Sequence, residues 1–480
     1  MKYLLLFLCL TATASAHVGS PDVFYEGNAG PYQLLVTVRP PAMIPGVAEV
    51  EIRAISDNVT GIHIVPVYIT LQDQGYPPTP DVMQAVPGDP HTFTGKVWLM
   101  ASGSWEVRAE IDGRQGSAKL AVPVPAFARR TLPMQKTLGI LLFGLMLFLV
   151  AGVVAIAGAA AREGSLVPGA TPEPRSIRRG RMAMLLATVT VLGILFLGNW
   201  WWNSEASTQK YDMLYKAPPL AATLENGDHL LVKMGASHWH DRRKASWSMQ
   251  LVPDHGHLMH LFLLRVPAMD RFYHLHPEQT PDGSFAVELP SMDAGHYKLF
   301  ADIVRETGFP DTMVTEMDLP QIAGRTLAGD DSGGSAAAFG AGSDRVSQLA
   351  DGGRMVWQPD TAAPAIGKLS WFRFRVEDND GKPVSDLEPY MGMAGHAVFV
   401  RSDESVFAHI HPAGSAPMAA LTIAQKESGA AMDMSRHSMA LPSEISFPYG
   451  FPQPGDYRLF VQVKRNGRVE TGVFDTKVAN

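Results

Sequence analysis

Thirteen of the 16 histidines lie beyond residue 202, and the informative ones come in two matching groups. The first reads Asp254-His255-Gly256-His257-Leu258-Met259-His260, then an apolar stretch, then His274-Leu275-His276-Pro277. With a turn near Pro267 the two halves form an antiparallel hairpin, and this spacing predicts that His260 faces His274. His276, two residues on, points to the same side of the sheet. Opposed Cβ atoms in such a pair sit about 5 Å apart, so three imidazoles can meet one ion at about 2 Å from each nitrogen. His255, His257 or Met259 would supply a fourth ligand from the preceding loop.

The second group reads Met391-Gly392-Met393, His396 and then His409-Ile410-His411-Pro412, with its turn near Ser402-Asp403. A neighbouring stretch, Met432-Asp433-Met434-Ser435-Arg436-His437-Ser438-Met439, adds thioethers and one more imidazole. Thioether sulfur is a poor zinc ligand and a good Cu(I) ligand, whereas imidazole suits copper in both oxidation states. Imidazole with thioether and without cysteine therefore favours copper, with zinc the alternative. Any one of these features has an ordinary explanation. A lone histidine on a strand is usually packed or solvated, a methionine is usually core filler, and His238-x-His240 with His229 reads as solvated. The argument for a metal is that the same three-histidine arrangement occurs twice.

The elements that must position these groups repeat as well. Gly295-His296-Tyr297-Lys298-Leu299-Phe300-Ala301-Asp302-Ile303 matches Gly455-Asp456-Tyr457-Arg458-Leu459-Phe460-Val461-Gln462-Val463, and Gly103-Ser104-Trp105-Glu106-Val107-Arg108 has the same form. His260 corresponds to His396 and Ser246-Trp247 to Ser370-Trp371, so residues 220–322 and 352–478 read as two copies of one β-domain. Strict alternation in Ala48–Ala54 and Trp105–Asp112 predicts antiparallel strands with one wet face, hence a third β-sandwich over 17–132. The Gly-, Ser- and Asp-rich stretch 323–351 and the segment 203–219 read as linkers.

Hydrophobic residues make up 46% of the 480 and charged residues only 18%, which points to membrane segments. Leu138–Ala161 and Met182–Trp202 are uncharged runs long enough to cross a hydrocarbon core of about 30 Å. Between them, 162–181 carries Arg162, Arg175, Arg178, Arg179 and Arg181, as cytoplasmic loops do; Trp200, Trp201 and Trp202 form an interfacial belt. Met1–Ala16 has the charge, apolar run and Ala-x-Ala ending of a cleaved export signal, which would leave His17 at the mature N-terminus. The expected setting is a bacterial inner membrane with both large segments in the periplasm. An N-terminal His17 can chelate copper through its amine and ring, completed by His63 or His91. The only cysteine, Cys9, lies in the signal, which excludes disulfides and thiolate sites from the mature chain. Net charge is −7 with no basic stripe, which argues against nucleic acid.

The stretch from Gly103 to Gly113 beside an apolar run resembles the FixH and YtkA-like envelope domains. That resemblance implies immunoglobulin-like sandwiches, some of them linked to metal or oxidase assembly. Ala16-His17-Val18 is similar to the start of CopC-type periplasmic copper carriers, which implies an amino-terminal copper chelate. The H-x-H pairs are shared with cupins, but here the lone histidine precedes the pair and the downstream Gly and His are missing. The expectation is thus a mainly β, membrane-tethered copper carrier or buffer that serves a membrane oxidase or metal exporter, with no evident small-molecule substrate. Two helices without ionisable residues disfavour an ion path. The competing readings are a docking scaffold with incidental histidines, and a metalloenzyme using Asp254 or Glu278 as base beside a metal-bound water.

Overall fold

The computed structural model describes residues 21–56, 58–69, 78–167, 169–237, 239, 250–340, 345–360, 363–429 and 441–480. The chain is mainly β, in antiparallel sheets, with three helices of eleven residues or more among the described residues. The alternating stretches become strands Gly46–Ala54 and Gly103–Gly113. They lie in two different sheets, of five and four strands. Their apolar faces meet in one core, with Val36, Val50 and Ile52 against Ile62, Val107 and Val122.

The two copies share topology and register. In the first, Gly295–Arg305 pairs with His260–Arg265, which pairs with Arg271–Leu275; in the second, Gly455–Arg465, His396–Arg401 and Phe407–Ile410 do the same. His260 lies opposite Asp302, and His396 opposite Gln462, the matching positions of the repeat. The loops before the lone histidines also coincide. Asp254 and His257 bond each other through both backbone groups across His255-Gly256, and Tyr390 and Met393 do so across Met391-Gly392. Residues Ser246-Trp247 lie outside the described residues. In the first copy His229–Met234 is central in its sheet, as Ser370–Glu377 is in the second.

The copies pack face to face. Leu261 and Leu263 enter the first copy's own core and Ala397 and Phe399 the second's. The alternate residues Phe262, Leu264, Val398 and Val400 join Phe272, Phe300, Phe407 and Phe460 in a shared core. Phe272 stacks on Phe460 at 4.2 Å and 11°, and their repeat equivalents Phe407 and Phe300 stack at the same distance and angle. This pseudo-twofold relation extends to charge. Arg458 binds Asp475 and donates to the Met269 carbonyl of the other copy and the Ala337 carbonyl of the stretch between the copies, while its equivalent Lys298 reaches across to Glu404. Burying a phenylalanine is worth about 1.5–3 kcal/mol, so these rings help hold the copies together.

The stretch expected as a linker, 323–351, contributes strand Ser332–Ser335 to the first copy's histidine sheet and Val346–Gln348 to the second copy. Its small residues fit against Tyr273 and Thr471: a Cβ on Gly334 would lie 2.8 Å from Thr471 Cγ2, and one on Gly333 would crowd the Tyr273 ring at 3.1 Å. The first sandwich packs on the second copy. Glu26 N donates to Ala413 O, Trp371 Nε1 donates to Glu26 Oε2, and Leu421 of helix Met418–Ser428 enters the first sandwich's core. Gly414 comes so close that a Cβ would lie 1.9 Å from the Phe24 carbonyl, and its φ of +125° suits glycine alone. The loop after His411 is thereby fixed against strand Val23–Ala29.

Residues 130–214 form a separate unit, a pair of helices, Lys136–Glu163 and Pro174–Met213. Both are long and apolar enough to cross a membrane, and their large apolar side chains are exposed. They touch at Gly158 and Gly180, where small residues admit close backbones. The helices overrun the apolar stretches, because helical hydrogen bonding continues through polar residues in water. The loop expected over 162–181 therefore shrinks to the residues between Glu163 and Pro174, and much of the 203–219 linker is helical.

Candidate metal centre

The hairpin register differs from expectation by two residues. Phe262, not His260, lies opposite His274, so the pairing extends to place His260 across from His276. A shift of two preserves the face. His260, His274 and His276 still point the same way, and the second copy repeats the register with Val398 opposite His409. That face is the one buried between the copies, so the two histidine groups confront each other.

Among the described residues, two sets of three imidazoles place one ligand nitrogen each within 4.8 Å of one another. The first is His260, His274 and His276, all buried. Each has its outer ring nitrogen anchored. His260 Nε2 donates to the Asp254 carbonyl at 3.1 Å, His274 Nδ1 to Gln462 Oε1 at 3.0 Å, and His276 Nδ1 to Asp331 Oδ1 at 2.9 Å. The Gln462 amide is itself oriented by donating to Ser332 Oγ. With these tautomers the inner nitrogens carry lone pairs, and His260 Nδ1 lies 3.0 Å from His274 Nε2. Two lone pairs this close repel unless a cation lies between them, and ligands about 2 Å from one ion stand about 3.0–3.4 Å apart. His276 Nε2 is buried without a partner among the described residues. Outer N–H groups held by carbonyl and carboxylate oxygens are the usual support of metal-bound histidine.

The second set is His255, His396 and His411. It was not foreseen, because His255 belongs to the first copy and the others to the second. His255 stands at φ +51° in its tight loop and donates from Nδ1 to the Met391 carbonyl at 2.9 Å. Among the described residues, its Nε2 and both ring nitrogens of His396 are buried with no hydrogen-bond partner. Leaving such a group unsatisfied costs about 1–3 kcal/mol. Met391 and Met393 line an open pocket beside His255 together with Met418. His409, expected as the third ligand of the second copy, stands between the sets. Its ring is 4.7 Å from His411 and 5.4 Å from His260, its Nδ1 is 3.5 Å from Asp302 Oδ2, and its Nε2 has no partner among the described residues.

Burial dominates the electrostatics. It holds His260, His274, His396 and His411 well below the usual imidazole pKa, assisted by neighbouring imidazoles, and lowers His255 and His276 as well. These rings are neutral near pH 7, the state a metal needs. Burial works to raise Asp331, but hydrogen bonds from His276 and Arg325 outweigh it and keep the carboxylate ionised. Asp330 Oδ2 lies 3.3 Å from His257 Nε2, and the His257 ring stacks on His276 at 3.9 Å. His257 therefore supports the first set rather than entering either.

The remaining candidates lie elsewhere. His17, His238, His240, His437 and the methionines of 432–439 fall outside the described residues. His63, partly exposed, is near Asp112, His229, exposed, is near Asp228, and His91 neighbours Asp89. Asp254 accepts from the Ala419 N–H at the start of helix Met418–Ser428, and Glu278 is exposed on the other sheet, so neither is placed as a base. Sequence reasoning missed Asp330, Asp331, Gln462, Asp302 and Tyr390, whose hydroxyl donates to the Asp330 carbonyl and lies 3.3 Å from His274 Nδ1.

A domain of unknown function (DUF8832) matches residues 236–316 and 348–480, which include every histidine of both sets. No curated protein matches the chain. Among solved structures, similarity is found to a tetra-tandem repeat in the extending region of a large adhesion protein, at 8% identity and TM-score 0.16, over 91% of this chain and 71% of that one. Trypsin-activated alpha-2-macroglobulin from Escherichia coli matches at 11% and 0.17, over 98% and 24%. Dimeric latent PorU from Porphyromonas gingivalis matches at 8% and 0.14, over 96% and 34%. TM-scores this low carry no argument.

Proposed function

We propose that this chain is a membrane-anchored metal-binding protein that holds copper, in preference to zinc, in the histidine centre between its two copies. The observation that carries the reading is the arrangement of the first set, in which three buried imidazoles have anchored outer N–H groups and inner nitrogens turned toward one another. The thioethers of Met391, Met393 and Met418 beside His255 favour copper. In this reading Lys136–Glu163 and Pro174–Met213 cross the bacterial inner membrane, the arginine-bearing turn faces the cytoplasm, and the β-domains face the periplasm after removal of the export signal. The paired sheets are taken as immunoglobulin-like sandwiches, the first akin to the FixH and YtkA-like modules, with His17 as a CopC-like chelate. Tethering would keep a carrier or buffer near a membrane oxidase or exporter.

The test is titration of the full chain in detergent with Cu(II), Cu(I) and Zn(II), beside the His274→Ala/His276→Ala and His396→Ala/His411→Ala double variants. Tight copper binding that each variant reduces supports the reading. Binding no tighter than to surface histidines, unchanged in both variants, leaves a docking scaffold as the better account.

A further inference from the structure

The copies meet so that the two ligand sets are neighbours. His255 and His260, one from each set, have ring centroids 6.2 Å apart, and His274 and His396 are 6.5 Å apart. An ion bound to imidazole lies about 3.2 Å from the ring centroid, given metal–nitrogen distances of about 2.0–2.1 Å. Ions in the two sets would then lie within about 13 Å of each other, with the ring of His409 between. We propose that the histidines form a single two-ion copper centre whose second site is shared between the copies, His255 coming from one and His396 with His411 from the other. This rests on the metal-binding reading and specifies the number, spacing and ownership of the sites.

Three observations carry it. First, buried nitrogens with no hydrogen-bond partner among the described residues occur in both sets, on His276 in one and on His255 and His396 in the other, so one ion would leave the other set unsatisfied. Second, each set keeps its own anchor for a ring N–H, the Asp331 carboxylate for His276 and the Met391 carbonyl for His255, so neither set is a rearranged form of the other. Third, carboxylates of Asp302, Asp330 and Asp331 stand against His409, His257 and His276, supplying negative charge beside two nearby cations. Repulsion scales with the product of the charges, so two Cu(I) repel about four times less than two Cu(II) at the same separation. The centre therefore fills most readily in the reduced state, and the second Cu(II) binds more weakly than the first.

The test loads the full chain in detergent with Cu(II) and compares stoichiometry and electron paramagnetic resonance with those of His255→Gln and His276→Gln. The expected result, counted beyond the ion that His17 would hold, is two copper ions per wild-type chain and one in each variant. The fully loaded wild type should give a spectrum broadened by dipolar coupling, and each variant an unbroadened one. A variant that still holds one ion tightly has kept its fold, so loss of the other is a site effect. A wild-type spectrum equal to the sum of the two variants' spectra overturns the inference while leaving metal binding intact. So does a wild-type stoichiometry of one that His255→Gln leaves unchanged. No tight copper in any form overturns both readings.

Discussion

His274 Nδ1 lies 3.0 Å from Oε1 of Gln462, a residue 188 positions further along the chain and on the other copy. The repeat equivalents mirror the contact, His409 lying 3.5 Å from Asp302 on the first copy. Each copy thus orients a histidine of its partner, and the histidine centre depends on their pairing.

Replacing Gln462 with leucine should disturb the first set without touching a ligand. The buried N–H of His274 loses its acceptor, which costs about 1–3 kcal/mol. Loss of such an outer-shell partner lowers metal affinity about 10- to 100-fold. Competition against a chromophoric chelator measures this. Affinity equal to wild type would show that Gln462 does not orient the ring.

Phe272→Ala removes a ring, 0% exposed, from the stack on Phe460. A loss of about 3–5 kcal/mol is expected. Phe285→Ala, a similar loss inside the first copy's own core, serves as control. Thermal melting should report comparable destabilisation in both, whereas copper at the shared set should weaken in Phe272→Ala only. Equal copper binding in the two variants would mean that the stack does not hold the sets together.

Much of this was legible in the sequence. The repeated Gly-x-aromatic strand and the H-x-H-P pairs located both hairpins, and the common face survived a two-residue register error because side chains alternate with period two. The pairing of the copies was less visible, although His260-Leu261-Phe262-Leu263-Leu264 and His396-Ala397-Val398-Phe399-Val400 lack the alternation of a half-exposed strand. Uninterrupted apolar residues mean that both faces are covered. Asp302 and Gln462 were also present, as polar residues at one matched position of an apolar repeat. Asp330 and Asp331 were hidden by composition, since the small residues around them read as a linker and instead let that strand lie close against its neighbours.

The metal-free protein should lose stability in acid. Six buried or partly buried histidines have lowered pKa values in the fold. Below about pH 6.5 the unfolded chain binds protons that the folded chain refuses. Stability is therefore full above that pH and falls as pH drops toward the folded values, by about 1.4 kcal/mol per pH unit for each such group. Melting curves between pH 8 and 5 measure the effect, and the His274→Ala/His276→Ala variant should show a shallower decline. An unchanged slope in that variant would mean that these two rings protonate without opposing the fold.

Copper should offset the same cost. A ligand that binds only the folded chain stabilises it by about 2.7 kcal/mol per site at a free concentration of 100 times Kd. It also gives the inner nitrogens of His260 and His274 the cation that their 3.0 Å separation calls for. The melting midpoint should rise on adding copper, fall back with a chelator, and rise by less in the His274→Ala/His276→Ala variant. The gain should be greatest near pH 7, where the imidazoles are neutral, and shrink toward pH 5 as protons compete for the same lone pairs. A midpoint that ignores saturating copper at pH 7 would show that the inner nitrogens are satisfied without a metal, and the copper reading would fall with it.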